Sequence, residues 1–144
     1  PEWIAKACNK VQGQVTSGTN AIAQRASIVA LRAPKSKIQY MIDEFLKRRN
    51  LVLQLLGEIE GLKLNVPEGA FYVFPDVSSF FGKTLRGRTI NNASDFSLYL
   101  LEEAGVATVT GEAFGDPKCI RLSYAASEEE LRKAIARIKE SLQG

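Results

Sequence analysis

The apolar residues of this chain change their spacing near position 62, and this change restricts the folds that the chain can adopt. Ile38, Ile42 and Phe45 open a run in which apolar residues recur every three or four positions, as in a helix that packs one face on a core. The next segment, LKLNV at 62–66, alternates apolar and polar residues instead, as a half-buried strand does. A chain of 144 residues with both periods is long enough for one domain that packs helices against a small sheet.

Three further segments have the composition of short strands. Residues 70–74, AFYVF, are predicted to form a hairpin with 62–66 through the turn PEG, and their three aromatic side chains are expected in the core. Residues 106–110, VATVT, and 119–125, CIRLSYA, supply two more predicted strands. Residues 78–93 are predicted to form an irregular loop.

Helical segments surround these strands. Residues 1–11 and 21–33 have helical composition and are separated by the glycine- and hydroxyl-rich loop QGQVTSGTN at 12–20. A further helix is predicted at 94–105, and an S-x-x-E capping box at Ser127 opens the last one. The predicted fold class is therefore α+β: a small antiparallel or mixed sheet of about four strands, with helices packed on one face, preceded by a helical arm.

The composition excludes several classes of function. The chain contains no histidine, the commonest general base and metal ligand, and no metal site is predicted. Its net charge is only +3 and its basic residues are scattered among acidic ones, so no nucleic-acid partner is expected. No apolar run approaches a membrane span, and no signal peptide opens the chain, so no membrane partner is expected. Cys8 and Cys119 lack metal-ligand and redox spacing, which favours a reducing, cytoplasmic setting.

Arg121 is the residue that a predicted core does not explain. In its strand, Ile120 and Leu122 point to one face, while Arg121 points to the other beside the small residues Cys119 and Ser123. The strand period alone favours a solvated sheet face that carries one arginine. The alternative is a ligand site, because a guanidinium with room around it can bind a carboxylate through two parallel hydrogen bonds.

The loop at 12–20 leaves a similar choice open. Its glycines and small hydroxyl residues would let backbone N–H groups approach a phosphate, but its composition is also that of an ordinary capped linker. Composition alone favours the linker.

Four collinear segments are distinctive when taken together: PEWIAKACNKVQGQVTSGTNAIAQRASIVAL, GAFYVFPDVS, LLEEAGVATVTGEAFG and CIRLSYAASEEEL. In this order and spacing they resemble the carboxy-terminal part of class I (fold type I) aminotransferases that use pyridoxal phosphate (PLP), and most closely the bacterial aspartate aminotransferases. The resemblance covers essentially the whole chain, but only about the last third of such an enzyme.

The resemblance implies roles for three residues. Arg121 stands at the position of the arginine that binds the α-carboxylate of the amino acid substrate in that family. Thr16 and Ser17 match a loop near the PLP phosphate of the partner subunit in a homodimer. The implied reaction converts aspartate and 2-oxoglutarate to oxaloacetate and glutamate. The amino donor stays open, because recognition of a second carboxylate uses residues outside this segment.

The resemblance also implies a division of the chain. Residues 1–33 are expected to be a helical arm, the tail of the large cofactor domain and a linker, and residues 34–144 the C-terminal small α+β domain. The family's Schiff-base lysine lies upstream in a Ser-x-x-Lys type motif, and no lysine here has that context. No catalytic residue is therefore assigned, and the chain is expected to be a piece of a longer enzyme that is inactive by itself.

Two other hypotheses remain at this stage. The chain could be a standalone α+β module that uses Arg121 to bind a carboxylate metabolite or a protein without catalysis. It could also have a purely structural or interaction role that leaves Arg121 as a surface residue. A Schiff-base lysine encoded in frame upstream of Pro1 would support the aminotransferase hypothesis over both of these.

Overall fold

The computed structural model describes residues 1–143 and divides the chain into two compact units. The first unit is Pro1–Gln39 and the second begins at Tyr40. Each unit is described by itself.

The first unit consists of helices. Helix α1 spans Glu2–Val15 and helix α2 spans Ala21–Arg32, and a short 3-10 turn follows at Lys35–Lys37. Helix α1 runs through the first part of the predicted loop, so the connection between the helices is shorter than the sequence indicated. Asn20 caps α2, where its side-chain oxygen accepts hydrogen bonds from the backbone N–H groups of the first turn.

The second unit contains the sheet and three helices. Its elements are α3 (Gln39–Gly57, whose first residue belongs to the first unit), β1 (Tyr72–Val73), β2 (Thr84–Leu85), β3 (Arg88–Thr89), α4 (Ala93–Ala104), β4 (Val109–Thr110), β5 (Ile120–Ser123) and α5 (Glu128–Leu142). Strands β1, β5 and β4 form one antiparallel sheet in that order, and β2 and β3 form a separate hairpin. The α+β class is confirmed, with three strands in the main sheet where about four were predicted.

The core of this unit lies between the sheet and the helices. Helix α4 packs on both α5 and β4. The buried apolar side chains include Val52 and Leu56 of α3, Val73 of β1, Phe96, Tyr99 and Leu100 of α4, Ile120 of β5, and Leu131, Ile135 and Ile138 of α5. Helix α5 begins at the predicted capping residue, since the Ser127 hydroxyl accepts a hydrogen bond from the Glu130 N–H.

The hairpin predicted between 62–66 and 70–74 is wrong. Only Lys63 of the first segment pairs, through two backbone hydrogen bonds with Asp76, and the described ladder stops there. Leu62 and Leu64 pack partly on the core, but Val66 is exposed. The packing of Leu62 and Leu64 holds the Lys63–Asp76 bridge in place, but it is not enough to form a strand.

The irregular loop predicted at 78–93 is also wrong. This segment holds a 3-10 turn and the β2–β3 hairpin, and its Phe80 and Ile90 side chains are buried in the core. Arg86 and Gly87 connect the two strands with φ values of 47° and 82°. Positive φ at both central residues is typical of the type I′ turn, whose twist matches that of a two-stranded hairpin.

Candidate active site

Arg121 lies on the central strand of the main sheet. It is opposite Val109 of β4, and Tyr72 of β1 is opposite Ser123, two residues further along β5. Side chains that are opposite each other, or two apart on one strand, share a face of the sheet. This face is the one opposite the buried Ile120, and Arg121 is half-buried on it.

Two aromatic rings cover the guanidinium of Arg121. Its Cζ lies 4.3 Å from the ring centroid of Tyr72 and 4.2 Å from that of Phe114. Tyr72 belongs to β1, and Phe114 to the 3-10 turn Gly111–Phe114 that follows β4. Because β1 and β4 flank β5 on opposite sides, the rings approach the guanidinium from both sides of its strand. We call Tyr72 and Phe114 the aromatic pair.

The guanidinium has no acidic partner in the part of the chain that the structure describes. Each ion pair formed by residues 1–143 joins other residues, and no described carboxylate oxygen lies within 4 Å of the Arg121 nitrogens. Rings bind the faces of a guanidinium but leave its N–H edge free to donate. The arrangement is therefore suited to a planar anion that accepts two parallel hydrogen bonds.

A second set of aromatic rings supports the aromatic pair. Phe74 meets Phe114 edge-on with centroids 6.4 Å apart, and Phe71 lies 4.5 Å from Tyr72. Phe71 in turn stacks on Phe45 of α3 at 5.9 Å. Both members of the pair are thereby held in place by packed neighbours.

The sequence-based placement of AFYVF in the core is wrong for its aromatic residues. Phe71 is exposed, Tyr72 and Phe74 are half-buried, and it is Val73 and Pro75 that are buried. The residues alternate between the two faces of the sheet, so Tyr72 and Phe74 lie on the Arg121 face and Phe71 has the orientation of the buried Val73. Strict application of the two-residue period would have placed Tyr72 and Phe74 correctly, but not the exposed Phe71.

Phe114 was also missed as a site residue. The segment GEAFG lies between two predicted strands, and the spacing of its residues carries no signal of a helix or a strand. In the structure its 3-10 turn ends at Gly115, and the Phe114 side chain is 48% exposed. The only sign that the sequence offered was a large aromatic residue close to an arginine in the chain.

Gly111 fixes the turn that carries Phe114. A Cβ added at Gly111 would lie 2.3 Å from the Asp116 carbonyl oxygen and 2.5 Å from that of Cys119. Both are backbone atoms, which cannot move far enough to relieve the overlap. The turn therefore packs against the start of β5 more closely than any other residue type permits.

We expect Gly111→Ala to lower the free energy of unfolding by about 1–3 kcal/mol, the usual cost of overpacking. Gly69→Ala is the matched control, because nothing lies within 4 Å of a Cβ at Gly69. Urea denaturation of both variants gives the comparison. Equal stabilities would contradict the close approach of the turn to β5.

Cys119 precedes Arg121 on the same face but is unsuited to nucleophilic chemistry. It is buried, and desolvation, with a smaller contribution from Asp116, raises the pKa of its thiol to about 11. The thiol stays protonated near neutral pH, and Cys119 packs as a small apolar residue.

Thr16 and Ser17 lie in the first unit, directly after α1. The Thr16 hydroxyl already donates a hydrogen bond to the carbonyl oxygen of Gln12. Ser17 is exposed and adopts a left-handed conformation with φ of 57°. Of the two hydroxyl groups, that of Ser17 is the one suited to donating a hydrogen bond to a phosphate oxygen.

Residues 1–143 contain no cluster of three metal-ligating side chains. None of the helices described is both long enough and apolar enough to span a membrane.

Comparison with known proteins identifies the class of this chain. Residues 1–138 match the family model described as "Aminotransferase class I and II". The chain belongs to this family, and the resemblance found in its sequence is confirmed.

Individual relatives narrow the similarity. The chain is 45% identical over 99% of its length to the "Bifunctional aspartate aminotransferase and glutamate/aspartate-prephenate aminotransferase" of Petunia hybrida, and covers 30% of that protein. It is 45% identical over 96% of its length to an aspartate aminotransferase of Rhizobium meliloti (strain 1021), of which it covers 34%. The crystal structure of the aspartate aminotransferase from Rhizobium meliloti matches 99% of the chain with a TM-score of 0.90 and 43% identity, and the match covers 36% of that structure. The chain thus spans about a third of the length of these relatives.

Proposed function

We propose that these residues form the carboxy-terminal part of a PLP-dependent aminotransferase in which Arg121 binds the α-carboxylate of the substrate. The single observation that carries this proposal is the environment of the Arg121 guanidinium. It is half-buried, covered by two rings and without an acidic partner among the described residues. A charge kept in such a place is stabilised fully when an anionic ligand binds its free edge.

The proposed reaction transfers an amino group from aspartate to 2-oxoglutarate and yields oxaloacetate and glutamate. The aspartate aminotransferases among the relatives support this choice of donor. Arg121 would bind and orient either the amino acid or the oxo acid, since both carry the same α-carboxylate. A bidentate, charge-assisted pair of this kind contributes on the order of 2–3 kcal/mol.

The amino acceptor has a second candidate. The name of the Petunia relative includes prephenate, a possible acceptor that the sequence analysis did not consider. An assay of the complete enzyme distinguishes 2-oxoglutarate from prephenate as the acceptor. It uses aspartate or glutamate as donor, and oxaloacetate, 2-oxoglutarate or prephenate as acceptor. Activity with none of these acceptors would contradict the proposed substrates.

PLP is the cofactor that the family implies for the complete enzyme, and it supplies the electron sink for amino transfer. Within this chain the exposed Ser17 hydroxyl fits one contact to its phosphate. The Thr16 hydroxyl donates to the Gln12 carbonyl oxygen and would have to rotate to donate to the phosphate. We propose that Thr16 and Ser17 lie near the PLP phosphate of the partner subunit in a cytoplasmic homodimer, and that Ser17 donates a hydrogen bond to it. Arg121 holds the substrate and not the cofactor.

Residues 1–144 alone are expected to give no specific visible absorbance when PLP is added. The reason is that no lysine of the chain stands in the sequence context of the family's Schiff-base lysine. A titration monitored between about 350 and 450 nm, with free PLP and a PLP–lysine mixture as references, checks this. A saturable visible band distinct from both references would overturn the expectation.

A further inference from the structure

We infer that Tyr72 and Phe114, the aromatic pair, are positioning residues that fix the plane of the Arg121 guanidinium and thereby set the affinity for the substrate carboxylate. This inference rests on the proposed role of Arg121. It adds two residues to which the sequence analysis gave no part in substrate binding.

The first argument is geometric. An arginine side chain has several rotatable bonds and about 2 kcal/mol of rotamer entropy, part of which is lost when the side chain binds a ligand. Rings at 4.3 and 4.2 Å from Cζ restrict the guanidinium before any ligand arrives. A carboxylate then binds a guanidinium whose N–H groups already point in one direction, so less entropy is lost on binding.

The second argument concerns water. The rings replace solvent at the guanidinium faces, which are weakly hydrated, and leave the strongly donating N–H edge accessible. A hydrogen-bonded ion pair is stronger where the surroundings are less polar. Tyr72 and Phe114 therefore strengthen the interaction with a carboxylate that neither ring needs to touch.

The third argument concerns how Phe114 is held. The turn that presents it depends on the close approach at Gly111. The recorded ring contacts of Phe114 are those with Arg121 and with Phe74. Its position is explained if it acts on Arg121.

The test uses the complete PLP-loaded enzyme with Phe114→Leu, Tyr72→Leu and Tyr72→Phe. Each leucine variant is expected to raise the KM for the amino acid roughly 3- to 30-fold, the range that a cation–π contact implies. The kcat at saturating substrate should change much less, because a weakened carboxylate contact lowers the binding of the ground state and of the transition state alike. Tyr72→Phe keeps the ring and should behave as the parent enzyme. Phe81→Leu, at a half-buried ring outside the pair, controls for loss of packing.

A combination with Arg121→Lys separates the inference from the proposed function. If the pair acts through Arg121, adding Phe114→Leu to Arg121→Lys should cause little further loss. If Arg121→Lys alone leaves KM unchanged, the proposed function fails. If Arg121→Lys raises KM and both leucine variants leave it unchanged, only the inference fails. It also fails if Phe81→Leu raises KM as much as Phe114→Leu does, or if the effects of Phe114→Leu and Arg121→Lys are fully additive.

Discussion

Arg121→Lys in the complete enzyme is expected to lower kcat/KM for aspartate by roughly 30- to 150-fold, which corresponds to the loss of about 2–3 kcal/mol. Lysine keeps the positive charge but presents a point donor, and cannot form two parallel hydrogen bonds to one carboxylate. It also lacks the planar group that lies over the rings of Tyr72 and Phe114. The loss should therefore exceed that of a simple change in side-chain length.

The absorbance of bound PLP should stay nearly unchanged in the same variant, because Arg121 is assigned to the substrate and not to the cofactor. Arg132→Lys, at an exposed position of α5, is a matched control that should leave kcat/KM unaltered. An unaltered kcat/KM in Arg121→Lys would reject the carboxylate-binding role. A lost PLP spectrum would show instead that the substitution disturbs the cofactor site.

Leu131→Ala is expected to lower the free energy of unfolding by about 2–5 kcal/mol. Leu131 is 6% exposed and packs in the core with Ile135 and Ile138 on the same face of α5. Truncation of its side chain removes buried apolar surface and leaves a cavity that the surrounding residues fill only in part. Because domains of this size are stable by only about 5–15 kcal/mol, the effect is large.

Leu101→Ala provides the matched control for this measurement. Leu101 lies on α4 and is 50% exposed, so the same truncation should cost about 0.5 kcal/mol or less. Urea denaturation of both variants, with the slope against urea concentration unchanged, gives the difference. If Leu131→Ala costs as little as Leu101→Ala, α5 does not pack on the core as described.

The helices could be predicted from the sequence because their signals are local. The stripe Leu131, Ile135 and Ile138 and the capping residue Ser127 stand within one segment, and the structure places each as expected. The β2–β3 hairpin could not be predicted from its apolar period, because its strands are two residues long. Its signal was the Arg86–Gly87 pair, which is a weaker turn sequence than Asn-Gly or Asp-Gly.

The site could be predicted only in part, and for a different reason. Arg121 stands out within its own strand because a charge interrupts an apolar run. The aromatic pair comes from two other segments, and its members meet Arg121 only once β1, β5 and β4 have aligned. Contacts set by strand order in this way have no local signature, so their identification required the structure.

Substrate binding gives the most direct test of the role of Arg121. The measurement compares the affinity of the complete enzyme for aspartate with its affinity for isoasparagine, in which a neutral amide replaces the α-carboxylate. The unsubstituted enzyme should bind aspartate roughly 30-fold or more tightly than isoasparagine, and Arg121→Gln should reduce this ratio to near one. A ratio that is the same with and without the substitution would contradict the assignment of Arg121 to the α-carboxylate.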